Sequence, residues 1–157
     1  MTDILLYWRD YRRNWADQFA GGCLYYWHTN ATKMLELNAG DRLWLVTSGK
    51  SIGHEAEQAG FLVGIWQVRE VFDNPADDPV YPPDAYKYRI VADPTASVMF
   101  DEPIPVDHLL RPTGADKAVS IGRFLQGPRK LREEKVRLLK SAAGPQMAIH
   151  YLSGRTQ

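Results

Sequence analysis

Residues 49–53, Gly-Lys-Ser-Ile-Gly, match the Gly-x-Ser-x-Gly pattern of a hydrolase nucleophile elbow. In such an elbow a strand enters a sharp turn that exposes an activated serine hydroxyl, and a helix follows. Here a strand-like run precedes the pattern, but residues 54–58 form a mostly polar stretch and a second strand-like run comes next. A small serine hydrolase that uses Ser51 is therefore a remote alternative, and we predict no catalytic residue.

Metal ligands are not grouped along the chain. The four histidines are dispersed, at His28, His54, His108 and His150, and Cys23 is the single cysteine. Zinc sites need ligand pairs at short spacing, so we predict no metal site and no cofactor. Asp77 and Asp78 are adjacent among prolines and are interpreted as part of a solvated loop, not as ligands of catalytic metal ions.

Charge is unevenly distributed along a chain whose formal net charge is zero. Zero net charge disfavours a protein that coats nucleic acid through many phosphate contacts. Acidic residues dominate residues 70–107, however, and Lys and Arg dominate residues 111–140. A basic face on a neutral protein suits local contact with a nucleic-acid backbone, and beyond Lys130 a solvated helix surface is the alternative.

Length and composition are those of one globular domain, which we assign to residues 1–157. The chain is 45% hydrophobic, and 157 residues can bury a sizeable core. No apolar run approaches the roughly 20 residues that span a bilayer, so no membrane partner is predicted. A single cysteine and the absence of a leader-like start predict a cytoplasmic protein.

Three apolar runs predict β-strands. Residues 43–46 are apolar at every position, which is typical of a strand buried on both faces. Residues 61–71 change from apolar to alternating side chains, and in the run 86–91 Tyr86, Tyr88 and Ile90 alternate with Lys87 and Arg89. Trp44 and Trp66 lie in these runs and are assigned to the core. Four prolines exclude regular structure between the second and third run.

Three further segments predict short helices. Residues 31–37 form the first, residues 105–110 a second that begins at a proline, and residues 131–143 a third that ends at Gly144 and Pro145. Strands dispersed among short helices indicate an α+β fold.

The order of these segments resembles that of the EVE domain, a member of the PUA-like superfamily related to the YTH and ASCH domains. Residues 26–29, Tyr-Trp-His-Thr, precede a Gly-Asp turn, and residues 122–128, Gly-Arg-Phe-Leu-Gln-Gly-Pro, precede the last predicted helix. Residues 4–10 resemble the first strand of the family, with Trp8 and Arg9 where a lysine-serine pair is common. The resemblance implies a small mixed β-barrel of about five or six strands with flanking short helices.

The same resemblance implies a site, because these domains bind a single flipped-out base, often a modified one. Trp27 stands where YTH domains carry a cage tryptophan. The implied aromatic and polar pocket comprises Trp8, Arg9, Trp27, His28, Asn30, Ser48, Tyr81, Leu125 and Gln126. Phosphate contacts are expected from Arg123, Arg129 and Lys130.

The predicted function is that of a non-enzymatic module that reads a modified base, such as 5-methylcytosine or 5-hydroxymethylcytosine in DNA. A domain of the same fold that reads tRNA or other structured RNA is the alternative, because polar side chains of any type can contact a 2′-hydroxyl. Any nuclease or other effector activity is expected to belong to a partner chain.

Overall fold

The computed structural model describes residues 1–22, 24–112 and 119–155, and for residues 148–155 it describes the backbone alone. Cys23, which supports the expected compartment, lies outside the described residues, as do Asp116 and Lys117 of the charged segment. The side chain of His150 is likewise not described. Among the described helices, none combines the length and the apolar character needed to cross a bilayer.

Within the described residues, seven strands form one sheet. They are β1 (Asp3–Tyr7), β2 (Tyr26–Thr29), β3 (Arg42–Ser48), β4 (Gly60–Asp73), β5 (Tyr88–Ala92), β6 (Val98–Pro105) and β7 (Arg129–Lys130). The hydrogen-bonded order is β2-β5-β4-β3-β1-β7, and β6 pairs with β4 off this path. β1 is parallel to β3, and the other pairs are antiparallel. The described sheet is not closed, so the predicted barrel is not confirmed.

Helices connect and cover the strands. The α-helices in the described ranges are α1 (Tyr11–Ala20), α2 (Asp107–Leu110), α3 (Ile121–Phe124) and α4 (Glu133–Arg155). Short 3₁₀ helices occupy Thr32–Glu36 and Lys50–Ile52. This mixture of sheet and helix confirms the predicted α+β class.

The predicted helix boundaries need correction. Residues 31–37 contain a 3₁₀ helix, and α2 begins at Asp107 because Pro105 is the last residue of β6. The last helix has 23 residues and continues through Pro145 to Arg155, so the prediction that it stops at this proline was wrong. A proline removes one hydrogen bond to the carbonyl four residues earlier, but here the helix continues on both sides of it.

The sheet is covered on both faces, and β3 contributes to each. Trp44 and Val46 pack in the cluster that includes residues of α4, whereas Leu43 and Leu45 pack in the cluster of aromatic residues near α1. Because β3 lies between β1 and β4, alternate side chains enter opposite layers, which explains why residues 43–46 are apolar at every position. Trp44 and Trp66 are fully buried, which confirms their assignment to the core.

Candidate functional site

A cavity of about 200 Å³ lies where the chain leaves β1, beside β2 and the loop between β4 and β5. Six aromatic side chains line it: Tyr7, Trp8, Tyr26, Trp27, Tyr81 and Tyr86. Its polar lining comes from Arg9, Asp10, Asn14 and His28. Pockets for drug-sized ligands measure about 300–1,000 Å³. This cavity therefore suits a smaller group, and its aromatic walls favour a planar one.

The cavity brings together five of the nine residues in the predicted pocket. These five are Trp8, Arg9, Trp27, His28 and Tyr81. The remaining lining residues were not predicted: Tyr7, Asp10, Asn14, Tyr26 and Tyr86.

The other four predicted residues do not line this cavity. The side chain of Asn30 joins two backbone groups of the loop before β5, at 3.2 and 2.8 Å. Ser48 Oγ accepts a hydrogen bond from the backbone N–H of Ser51 at 3.2 Å. Leu125 is a buried core residue, and Gln126 is exposed.

Trp8 is the centre of an aromatic cluster at the cavity wall. Its ring makes edge-to-face contacts with Tyr11, Trp15, Trp27 and Trp66, at centroid distances of 5.3, 6.3, 5.6 and 5.3 Å. Trp8 is only 5% exposed, whereas Trp27 is partly exposed. Trp8 thus supports the wall as a core residue, and Trp27 is the more accessible of the two indoles.

A buried carboxylate holds His28 in place. His28 Nε2 lies 2.9 Å from Oδ2 of Asp78, whose side chain is fully buried. Arg89 Nη1 donates to the same oxygen at 2.8 Å. The other oxygen, Oδ1, accepts from the backbone N–H groups of Val80 and Tyr81, each at 2.8 Å. Asp78 therefore fixes both the imidazole and the loop that carries Tyr81 to the cavity.

The prediction of a solvated loop was wrong for Asp78, although Asp77 is exposed. A buried carboxylate needs a charged partner and hydrogen bonds, and Arg89 supplies the charge. The guanidinium of Arg89 lies over the rings of Tyr26 and Phe72, at 4.2 and 4.6 Å. Arg89 lies in a strand with alternating side chains, and that sequence pattern did not indicate that the Arg89 side chain is largely buried.

These contacts set the protonation states of the pair. Burial raises the pKa of Asp78, but hydrogen bonds from His28, from the backbone of Tyr81 and from Arg89 outweigh burial and hold that pKa at about 2. Burial lowers the pKa of His28 below 6.5 and outweighs the attraction of Asp78, while Arg89 adds to the lowering. At pH 7, therefore, Asp78 is ionised and His28 is neutral.

Helix α1 supports another part of the wall through two side-chain amides. Asn14 Nδ2 donates to Tyr81 Oη at 2.9 Å, and Gln18 Nε2 donates to Asn14 Oδ1 at 2.9 Å. Gln18 also exchanges hydrogen bonds with the backbone of Tyr26, at 2.8 and 2.7 Å. Asn14 and Gln18 are one helical turn apart, which places their side chains on the same face of α1.

A third amide fixes the loop between β4 and β5. Asn74 Nδ2 donates to the backbone carbonyls of Tyr81 and Tyr86, at 3.0 and 3.1 Å. Asn74 is itself buried. The two tyrosines that this loop contributes to the cavity are thus positioned by backbone hydrogen bonds as well as by packing.

Ser51 lies in a turn between two strands, and metal-ligating residue types are not grouped among the described residues. Ser51 Oγ lies 2.9 Å from Thr47 Oγ1, and His54 Nδ1 accepts from the backbone N–H of Ala56. The turn at Ser51 joins two antiparallel strands, unlike the strand-to-helix turn of a nucleophile elbow. In the same part of the chain, no group of three His, Cys, Asp or Glu residues is placed to hold a metal ion.

The predicted phosphate-contacting residues are exposed on helix α3 and on the edge strand β7. They are Arg123, Arg129 and Lys130. Arg129 of β7 lies opposite Leu5 of β1. Leu5 is two residues before Tyr7, which lines the cavity, so Leu5 and Tyr7 are about 7 Å apart along the strand. Helix α3 also approaches this wall closely, because a Cβ at Gly122 would lie 2.5 Å from the ring of Tyr7. The segment that carries the three cations therefore adjoins the cavity wall.

Arg111 does not belong to the basic face. Its side chain is buried and forms an ion pair with Asp107 at 2.7 Å. It also donates to the backbone carbonyls of Gln58 and Val119. Arg111 therefore ties α2 to neighbouring loops, and its inclusion in the basic face was wrong.

Comparisons with known proteins define the fold but not a family. No protein-family model matches the chain, and no curated protein matches it. The structure is similar to the NMR structure of Rpa0253 from Rhodopseudomonas palustris, with a TM-score of 0.52 and 17% sequence identity. The match covers 92% of this chain and 94% of that chain. At this identity, the similarity concerns the fold alone.

Proposed function

We propose that this chain is a nucleic-acid-binding module rather than an enzyme, and that its cavity takes up one flipped-out base. The observation that carries the proposal is a space of about 200 Å³ among six aromatic rings. The polar groups of Asn14, His28 and Tyr81 at this space are held by protein hydrogen bonds. A modified cytosine in DNA, 5-methylcytosine or 5-hydroxymethylcytosine, is the proposed base.

The energetics of base capture favour such a rigid site. Flipping a base out of a stack costs a few kcal/mol, and stacking on aromatic side chains returns about 1 to 3 kcal/mol per base. The net gain is small if the binding site must also become ordered. Here Trp8 and Trp27 are packed against each other, and Tyr81 is held by Asn14. Little side-chain freedom remains to be lost on binding.

The resemblance to EVE domains supports the same proposal. In this interpretation the open sheet corresponds to the PUA-like barrel and the cavity to the base pocket. The exposed cations of residues 123–130 contact phosphates beside the flipped nucleotide. Such a reader needs no cofactor, acts in the cytoplasm, and leaves any nuclease activity to a partner chain.

A panel of short DNA and RNA oligonucleotides that differ only in the central base tests the proposal. We expect DNA with a central 5-methylcytosine or 5-hydroxymethylcytosine to bind more tightly than the same strand with cytosine, measured by fluorescence anisotropy. Tighter binding of the RNA strands would instead assign the chain to the reading of tRNA or other structured RNA. Equal, weak binding of every strand would contradict base recognition.

Salt dependence separates base capture from general phosphate binding. About two to four phosphates near the cavity give a slope of log affinity against log salt of about −2 to −4 on duplex DNA, because each contact contributes about −0.9. We expect Arg123→Ala to make this slope shallower by about one unit without changing base preference.

Arg137→Ala is the matched control for this measurement. Arg137 is also an exposed arginine, but it lies on α4, which packs mainly against β6 and α2. This variant should keep the wild-type slope. If Arg123→Ala changed base preference at an unchanged slope, Arg123 would contact the base instead of a phosphate.

A further inference from the structure

The donor and acceptor nitrogens of the His28 imidazole are fixed by its surroundings. Its Nε2 lies 2.9 Å from the carboxylate of Asp78, which is ionised at neutral pH. Because a carboxylate only accepts hydrogen bonds, Nε2 must carry the hydrogen. In a neutral imidazole the other nitrogen, Nδ1, is then an acceptor. The hydrogen bonds from Arg89 and two backbone N–H groups hold Asp78 in the position that imposes this tautomer.

The side chain of His28 is only 3% exposed, and its Nδ1 atom has an unused acceptor position. Nδ1 forms no hydrogen bond within the described residues. The fully buried side-chain polar atoms that lack a partner there are Asn74 Oδ1 and Arg89 Nε, so Nδ1 is not one of the fully buried atoms. Nδ1 is therefore not sealed from solvent, and the residue lines the cavity. When a ligand displaces water there, an acceptor left without a donor weakens binding by about tenfold or more.

The surroundings of the ring keep it neutral. The charged and titratable groups that face it come from β2, from the loop between β4 and β5, and from β5 itself. They are Tyr26, Asp78, Tyr81, Tyr86 and Arg89. Arg9 and Asp10 line the same cavity after the end of β1. Burial and the positive charge of Arg89 oppose protonation of His28, and their combined effect exceeds the attraction of Asp78.

We infer that His28 determines specificity in the cavity and that the bound base donates an N–H hydrogen bond to its Nδ1 atom. Asp78 is the positioning residue, because it fixes the tautomer without contacting the base. The inference rests on the proposed function and adds to it a required chemical feature of the ligand. The exocyclic amino group of a cytosine is a donor of this kind.

The pH dependence of binding tests this inference. Protonation places a hydrogen on Nδ1 and turns the acceptor into a donor, so a base that donates there loses its partner. Because the pKa of His28 is lowered from 6.5, the loss occurs below pH 6.5. Affinity for single-stranded DNA with a central 5-methylcytosine should then fall by about tenfold per pH unit below that pKa, as expected for one linked proton.

Two controls assign the pH dependence to His28. His28→Gln keeps an N–H group that can donate to Asp78 but has no titrating ring, so the decline in affinity below pH 6.5 should disappear. In the wild-type protein, a strand whose central 5-methylcytosine carries two methyl groups on its amino nitrogen offers no donor. That strand should bind about tenfold more weakly or worse at pH 7, and this comparison does not depend on the folding of a variant.

The possible results separate this inference from the proposed function. Tight binding of 5-methylcytosine DNA with a flat pH profile, or equal affinity for the dimethylated strand, would overturn the role of His28 and leave base capture standing. A decline that persists in a folded His28→Gln variant would also overturn it. Failure of every oligonucleotide to bind at any pH would overturn both.

Discussion

Replacing Asp78 with alanine is expected to lower the free energy of unfolding by about 3 to 5 kcal/mol, the cost of removing one partner from a buried ion pair. The substitution would leave the largely buried guanidinium of Arg89 without its carboxylate. It would also remove the acceptor for His28 and for the backbone N–H groups of Val80 and Tyr81. Urea unfolding followed by tryptophan fluorescence measures the effect.

Asp77→Ala provides the matched control. Asp77 is the same residue type at the adjacent position, but it is exposed. An exposed side chain without such contacts changes stability by less than about 0.5 kcal/mol when it is replaced. Equal unfolding midpoints for the two variants would show that the Asp78 network does not support the fold, and the cavity wall could not then be considered preformed.

Acid titration of the wild-type protein gives the same network a second readout. The folded-state pKa of Asp78 is about 2, against 3.8 for an unperturbed group. This difference stabilises the folded state by about 2 kcal/mol above pH 3.8, and the stabilisation is lost as the pH falls through the folded-state pKa. The loss is smaller than the cost of Asp78→Ala, because protonation leaves the side chain in place. Asp78→Ala should lack this part of the acid dependence.

The central strands could be predicted from the sequence because their signal is local. Residues 43–46 are apolar at every position since β3 has a neighbour on each edge and a layer on each face. The apolar runs 43–46 and 61–71 also placed Trp44 and Trp66 in the core. Helix α1 lacked such a signal, because its buried residues are polar, Asn14 and Gln18.

The network around His28 could not be predicted because no local pattern joins its members. His28 and Asp78 are 50 positions apart, and Arg89 is 11 positions beyond Asp78. Each comes from a different segment: β2, a proline-containing loop and β5. An aspartate among prolines resembles a solvated turn, and only the fold shows that a histidine and an arginine converge on it. The aromatic residues could be proposed because the resemblance to EVE and YTH domains implied a pocket that includes Trp8 and Trp27.

Trp27→Leu is expected to weaken binding of DNA with a central 5-methylcytosine by about 1 to 3 kcal/mol, the value of one base stacked on an aromatic ring. Leucine keeps apolar volume at the wall but removes the aromatic face. Trp27→Phe keeps a smaller aromatic face, so it should retain most of the affinity. Fluorescence anisotropy at fixed salt and pH measures both variants against the wild-type protein.

Comparing the two variants separates stacking from packing. Trp27 contacts Trp8 at a centroid distance of 5.6 Å, so any smaller side chain loses part of that contact and lowers stability. If Trp27 only packs, Trp27→Leu and Trp27→Phe should weaken binding in proportion to their loss of stability. If Trp27 stacks on the base, Trp27→Leu should lose its preference for the modified base. The slope of log affinity against log salt should stay near the wild-type value, because no phosphate contact is removed. Wild-type affinity and base preference in Trp27→Leu would exclude this indole from the site and leave Tyr81 and Tyr86 as the stacking surfaces to be tested.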